Sequence, residues 1–220
     1  MQTDQAIKNR KTQKILANEP WPISTDINNL HFIINELLDL AATAPYHHRS
    51  NEVYSIKKEL KSCVPWRFYV LDTKNCRLLL EYISKQNIKA GKITNMLASA
   101  DALLLTTWLP EPTENNTSTL FNGSIKNMEH IAAVSAAIQN VLIGATARNI
   151  PNYWSSGGVL RKEQLNKYLG IPINEILLGA LFLFPKDSDK QDVIIKPGAL
   201  RNKGKEKNTW SKFINIADRE

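Results

Sequence analysis

Ala102-Leu103-Leu104-Leu105-Thr106-Thr107-Trp108 is a short continuous apolar run, the signature of a strand buried on both faces. Such a strand needs cover above and below it. Downstream, Pro110, Pro112, Asn115, Asn116 and Gly123 mark residues 109–124 as a loop. A long helix is expected over about residues 126–148, with Met128, Ile131, Ser135, Ile138, Leu142 and Ala145 on one stripe. Ala132, Ala133, Ala136 and Ala137 would let that helix pack closely. Two further strands flank the run in sequence. Trp66-Arg67-Phe68-Tyr69-Val70-Leu71 is rich in aromatic and β-branched residues, and a third strand covers residues 176–184.

Moving outward, residues 4–17 carry Ala6, Ile7, Ile15 and Leu16 at helical spacing, ended by Pro20 and Pro22. Ser24-Thr25-Asp26 offers cap residues for a second helix. Its apolar positions Leu30, Ile33, Ile34, Leu37, Leu38, Ala41 and Ala42 recur every three or four residues, and Pro45 stops it. Helices are also expected over about residues 74–89 and 162–169, the latter ending at Gly170. Residues 150–158 read as a loop, and the tail from Lys186 onward is polar and glycine-punctuated, closed by Trp210, Phe213 and Ile214. The order helix, helix, strand, helix, strand, helix, helix, strand gives a sheet covered by helices.

The chain has 220 residues, enough for one ordinary domain with a sizeable core. Its 43% hydrophobic and 22% charged residues are typical of a soluble globular protein. No apolar run approaches the roughly 18–20 residues needed to span a bilayer. The start, Met1-Gln2-Thr3-Asp4-Gln5, lacks the apolar core of a secretory signal, so the expected compartment is the cytoplasm, with no membrane partner. Cys63 and Cys76 have no metal-type spacing and are expected as ordinary thiols.

The net charge of +7 sits largely at the two ends, in Lys8, Arg10, Lys11 and Lys14 and in Lys196, Arg201, Lys203, Lys205 and Lys207. No helix carries a sustained basic stripe and no basic run has interleaved aromatics, so a nucleic-acid partner is not expected. Two basic ends converging on one phosphate explain the charge more economically. Arg10-Lys11-Thr12-Gln13-Lys14 has the guanidinium, ammonium and hydroxyl groups to encircle a phosphate, or it forms a solvated helix face. His47 and His48 are adjacent, point in different directions and lack an accompanying ligand set for a metal. Asn152-Tyr153-Trp154-Ser155-Ser156-Gly157-Gly158 places small residues after a tryptophan, where backbone can approach a planar ligand. It is neither a G-x-G-x-x-G fingerprint nor a phosphate loop with its lysine, and no G-x-S-x-G elbow argues for a hydrolase.

Together and in this order, these pieces resemble the FMN-dependent nitroreductase family, above all its short single-domain NAD(P)H nitroreductases. Arg10-Lys11-Thr12-x-Lys14 resembles the family's Arg-Arg-Ser-x-Arg/Lys, and Ala44-Pro45-Tyr46-His47 leading to Pro65-Trp66-Arg67-Phe68 resembles its Ala-Pro-x-x…Pro-Trp-x-Phe. Glu129-His130 through Gln139-Asn140, then Tyr153-Trp154-Ser155-Ser156-Gly157, resemble its central helix and following loop, and Leu169-Gly170-Ile171-Pro172 follows. Three departures stand out. Thr43 replaces an arginine of some short members, residues 49–64 form a longer link than usual, and Ser155 stands where those members carry arginine.

The resemblance implies an α+β fold of three layers, a central mixed sheet flanked by helices, in a homodimer. It implies one domain over residues 1–220, with a phosphate-binding segment at 1–22 and a basic tail at 186–220. Arg10, Lys11 and Thr12 would bind the FMN phosphate with Lys14 nearby, and Arg201 would close on it. Trp154, Ser155, Ser156 and Gly157 would run along the isoalloxazine, with a backbone amide bonding it, and His47 of the partner subunit would contact the flavin. The implied activity is ping-pong electron transfer from NADH or NADPH to a small oxidised substrate such as a nitro compound or quinone. No side-chain general acid is required, and none is assigned. The alternative is an inactive FMN-binding or flavin-storage protein of the same fold.

Overall fold

A computed structural model describes residues 2–56, 59–112, 121–188, 193–198, 203 and 205–214. The first half of the chain forms helix α1 (Thr3–Asn9), strand β1 (Gln13–Leu16), α2 (Ile27–Ala42), β2 (Trp66–Leu71), α3 (Thr73–Lys85) and α4 (Lys92–Ser99). The second half forms β3 (Ala102–Trp108), α5 (Ile125–Ala147), β4 (Asn152–Ser155), α6 (Glu163–Leu169), β5 (Ile176–Leu183) and β6 (Ile194–Pro197).

All seven residues of β3 are buried, as the apolar run requires. The reason is its place in the sheet, whose order is β2-β3-β5-β4, so β3 has a strand on either side and helices on both faces. Alternation along the strand divides its side chains between two cores. Leu103 and Leu105 join Cys76, Leu79 and Ile83 of α3 and Met96 and Leu97 of α4. Leu104 and Trp108 join Ile34, Leu37 and Ala41 of α2 and Val134, Ile138, Val141 and Leu142 of α5. Each fully buried leucine here contributes roughly 1.5–3 kcal/mol of transfer free energy.

The expected mixture of strand directions reduces to a single contact. The paired strands are antiparallel throughout, and the parallel element among the described residues is one bridge between Thr12 and Asn152.

Several local expectations give way to long-range pairing. The helix expected over 4–17 is α1 followed by β1, because Ile15 and Leu16 are consecutive buried residues held against β6 and not one face of a helix. The loop expected at 150–158 contains β4, an edge strand that borrows its hydrogen-bonding partner from β5. The polar tail contributes β6, although all four of its residues are exposed. The helix expected over 74–89 stops at Lys85, where Gln86 caps it and Asn87 turns to φ 52°. Helix α4 had no assignment from the sequence. Of the loop expected at 109–124, residues 113–120 lie outside the described residues.

On α5 the buried residues include Asn127, His130, Val134, Ala137, Ile138, Val141, Leu142 and Ala145, whereas Met128 and Ile125 are exposed. The buried stripe is therefore rotated from the expected one, which a helix apolar around most of its circumference cannot specify by itself. Gly144 lets α2 side chains pack against the α5 backbone, since a Cβ there would lie 2.5 Å from Leu40 Cδ1 and 2.9 Å from Leu37 Cδ2. Among the described residues α5 has the length and composition of a membrane-crossing helix, but half of its apolar window is buried in the protein, as in a core helix.

The long link at 49–64 is organised from beneath. The buried Arg67 guanidinium donates to the carbonyls of Val64 (3.1 Å), Trp66 (2.7 Å), Leu60 (3.3 Å), Ser62 (3.0 Å) and Tyr54 (3.5 Å). Tyr54 then donates its hydroxyl to the carbonyls of Pro110 (2.7 Å) and Asn174 (3.0 Å). Buried backbone acceptors need donors, and one planar fork serves several at once.

Candidate functional site

The two basic ends of the chain meet beside β4. Helix α1 ends at Arg10, whose N–H bonds the Ala6 carbonyl, and the chain then extends so that Thr12 bridges Asn152. Lys14 holds its ammonium 4.8 Å from the centre of the Tyr153 ring. On the other side β1 pairs with β6, setting Lys14 opposite Lys196, and the Gly198 N–H donates to the Thr12 carbonyl at 3.1 Å. Thr12 also leaves no room for a side chain at Gly198, where a Cβ would lie 2.9 Å from its own Cβ.

Alternation along this extended segment sorts its side chains. Lys11 and Gln13 line a cavity of about 450 Å³, together with Lys8, Asn9, Thr146 and Asn149 and residues 150–152. Thr12 and Lys14 instead turn toward β6 and Tyr153. Asn152 forms the buried floor, 2% exposed. Its Nδ2 donates to Thr146 Oγ1 (3.1 Å) and to the Ile150 carbonyl (2.9 Å), while Oδ1 has no partner among the described residues. A buried acceptor left unpaired costs about 1–3 kcal/mol, so the position favours a ligand that brings a hydroxyl or amide donor. Ammonium groups on one wall and an amide acceptor on the floor suit a ligand that is both anionic and hydroxylated.

Farther along β4 the Trp154 indole lies against the backbone of Gly179 in β5, where an added Cβ would fall 2.3 Å from the indole nitrogen. Ser155 is buried and its hydroxyl accepts the Gly157 N–H at 3.2 Å. Gly157 and Gly158 then adopt φ of 100° and 52°, values that glycine reaches without a Cβ clash. Arg161 returns to this turn, Nε donating to the Ser156 carbonyl (2.5 Å) and Nη2 to the Leu178 carbonyl (3.3 Å). Partial burial holds its guanidinium somewhat below the ordinary arginine range.

Not every sequence-derived residue joins this group. His47 is exposed in the turn after α2, next to Tyr46, which packs edge-on to Trp66. Trp66 pairs with Trp108 at one end of β3, and Asn152 pairs through Leu183 with Ala102 at the other end. Six residues of strand at about 3.3 Å each separate these ends by about 20 Å within one chain. The neighbouring His48 sits 2.9 Å from Glu129 of α5. Arg201 lies outside the described residues, three positions beyond Gly198. Asn152, Arg161 and Gly179 are contributors that sequence reasoning did not single out. Asn152 stood within the quoted motif, but its unpaired oxygen is a property of packing.

A second polar group lies inside the core and reads as structural. Glu175 is buried and accepts hydroxyls from Thr107 (2.6 Å) and Tyr69 (2.9 Å). Burial, then the Glu175 charge, pushes the Tyr69 phenol up, so it stays a donor.

The sequence matches the model of the Nitroreductase family over residues 7–183. No curated protein matches it in sequence. Among solved structures, a nitroreductase-like family protein from Bacillus cereus superposes with a TM-score of 0.57 at 19% identity, covering 88% of this chain and 96% of that one. A nitroreductase family protein from Clostridium novyi NT gives 0.55 at 19% identity, with 87% and 89% covered. A nitroreductase with bound FMN from Bacteroides fragilis gives 0.50 at 18% identity, with 84% and 88% covered. At these identities the likeness is one of fold.

Proposed function

The chain belongs to the nitroreductase family, and from that premise we propose that it binds FMN and passes electrons from NADH or NADPH to a small oxidised molecule such as a nitro compound or a quinone. The observation that carries this reading is the juncture of β1, β4 and β6, which joins both basic ends to the 152–157 motif beside a polar cavity. The residues there fit the cofactor. Lys11, with Arg10, Thr12 and Lys14 around it and Arg201 closing from the tail, neutralises a phosphate. The unpaired Asn152 Oδ1 accepts a hydroxyl of the ribityl chain. Trp154, Ser155, Ser156 and Gly157 border the ring system, with glycine backbone close enough to offer an amide.

Bound FMN supplies the hydride chemistry, in a ping-pong cycle in which the nicotinamide leaves before the oxidised substrate enters. The chain's own part is to bind, orient and set the local charge, with no side-chain acid required. His47 serves the flavin of a second copy, in keeping with its distance from the other residues, and the exposed Ile125 and Met128 of α5 support that pairing. We read residues 1–220 as one domain acting in the cytoplasm.

The test is direct. Purified protein should be yellow or take up added FMN, and anaerobic NADH or NADPH should bleach it. Protein that stays colourless after FMN addition would overturn the reading. Yellow protein that neither nucleotide bleaches would make it an FMN-binding module and not a reductase.

A further inference from the structure

Residues 155–158 form a turn in which Ser155 and Gly157 are buried, Gly157 against the Leu177 side chain, while Ser156 and Gly158 face outward. Ser155 commits its hydroxyl to the Gly157 amide, Ser156 is exposed, and the two glycines sit at positive φ. Glycines at positive φ gain nothing from side-chain contacts and lose the most conformational freedom on ordering. The shape of such a turn depends on bonds brought from outside it.

Arg161 brings them. Its fork spans the Ser156 carbonyl and the Leu178 carbonyl, tying the turn to β5, and its Cγ lies 3.3 Å from where a Cβ on Gly157 would sit. These two bonds use only part of a guanidinium with five N–H donors. The ion pairs formed among the described residues do not include Arg161. An exposed cation with donors to spare, and no ion-pair partner among the described residues, favours an electron-rich ligand edge.

We propose that Arg161 is a positioning residue for the flavin-binding turn: it fixes the backbone of residues 155–158 and adds positive charge beside the bound ring. The proposal rests on the FMN reading. It assigns the guanidinium two separable roles, because the fork holds the turn by geometry while the charge acts on the ring by electrostatics. Lysine keeps the charge without the fork, and glutamine keeps neither.

The experiment compares the parent protein with Arg161→Gln and Arg161→Lys. Amide hydrogen exchange of residues 155–158 is measured without added ligand, FMN affinity by titration of flavin-stripped protein, and the two-electron potential by dye equilibration. Arg161→Gln should speed exchange of the turn at least tenfold, weaken FMN binding at least tenfold and make the potential more negative. Arg161→Lys should recover the potential but not the slow exchange. Exchange and FMN affinity within twofold of the parent in Arg161→Gln would overturn the proposal. Parent protein that takes up no FMN overturns the flavin reading instead, and the exchange measurement still decides whether Arg161 holds the turn.

Discussion

Of the arginines that hold irregular backbone by its carbonyls, Arg67 and Arg161 do so in opposite surroundings. Arg67, 4% exposed, reaches five carbonyls and anchors the 49–64 link to the sheet. Arg161, exposed, reaches two carbonyls at the 155–158 turn. In the buried clamp the bonds to the Trp66 and Tyr54 carbonyls are out of reach of water, so the guanidinium is integral to the fold. At the exposed clamp water can replace either bond, so little folding energy is at stake and the arginine is free to serve a ligand.

The largest expected effect breaks the buried side of this contrast. Arg67→Met should destabilise the protein by about 3–5 kcal/mol in urea unfolding, since it leaves several backbone carbonyls without their donor at about 1–3 kcal/mol for each one that stays buried. Protease cleavage within residues 49–64 should rise in the same variant. A loss below about 1 kcal/mol, within the range of exposed interactions, would erase the distinction between the two clamps.

Next comes the floor beneath the exposed turn. Gly179→Ala forces a methyl onto the Trp154 indole and should destabilise by about 1–3 kcal/mol, with a changed near-ultraviolet tryptophan signal. The corresponding change at Gly144 meets the ends of leucine side chains, which can move, and should be milder by the same measurements.

Asp101 sharpens the comparison by showing a half-buried carboxyl for which the described residues provide no such cage. Burial pushes its carboxyl from 3.8 up to about 6, opposed by the Arg77 charge and assisted by Asp187. The folded state therefore keeps a proton that the unfolded chain has released, and stability falls as pH rises through that window. Asp101→Asn should remove this slope and stabilise the protein at pH 8 by about 1–2 kcal/mol, read from unfolding at pH 4, 6 and 8. Smallest is Arg161→Gln, expected to change unfolding free energy by less than about 1 kcal/mol.

How far the sequence could be read depended on the range of the interactions. The start of α2 was legible because a cap acts within three residues: Asp26 accepts the Asn29 amide at 3.2 Å, as the Ser-Thr-Asp signal indicates, whereas α4 has no side-chain cap and gave no such signal. Strands β2, β3 and β5 were legible because double-sided burial leaves an apolar run. Strands β1, β4 and β6 were not, since each is four residues long and none carries that signature. In the candidate site the basic start and the Trp154 loop were recognisable as motifs. The Asn152 oxygen and the Arg161 fork were not, because a missing partner and a returning side chain exist only once β4 and β5 have paired.

By itself, then, the sequence determined a helix-covered sheet, its three long strands and its family, since local spacing and motif order encode these. Only the tertiary structure decided which stripe of α5 is buried, that Lys11 faces the cavity while Lys14 turns to Tyr153, and that both chain ends meet at β4. Those outcomes follow from strand pairing between residues far apart in the chain. Pairing turns side chains to one face or the other by two-residue alternation that a local pattern of mixed polarity leaves undecided.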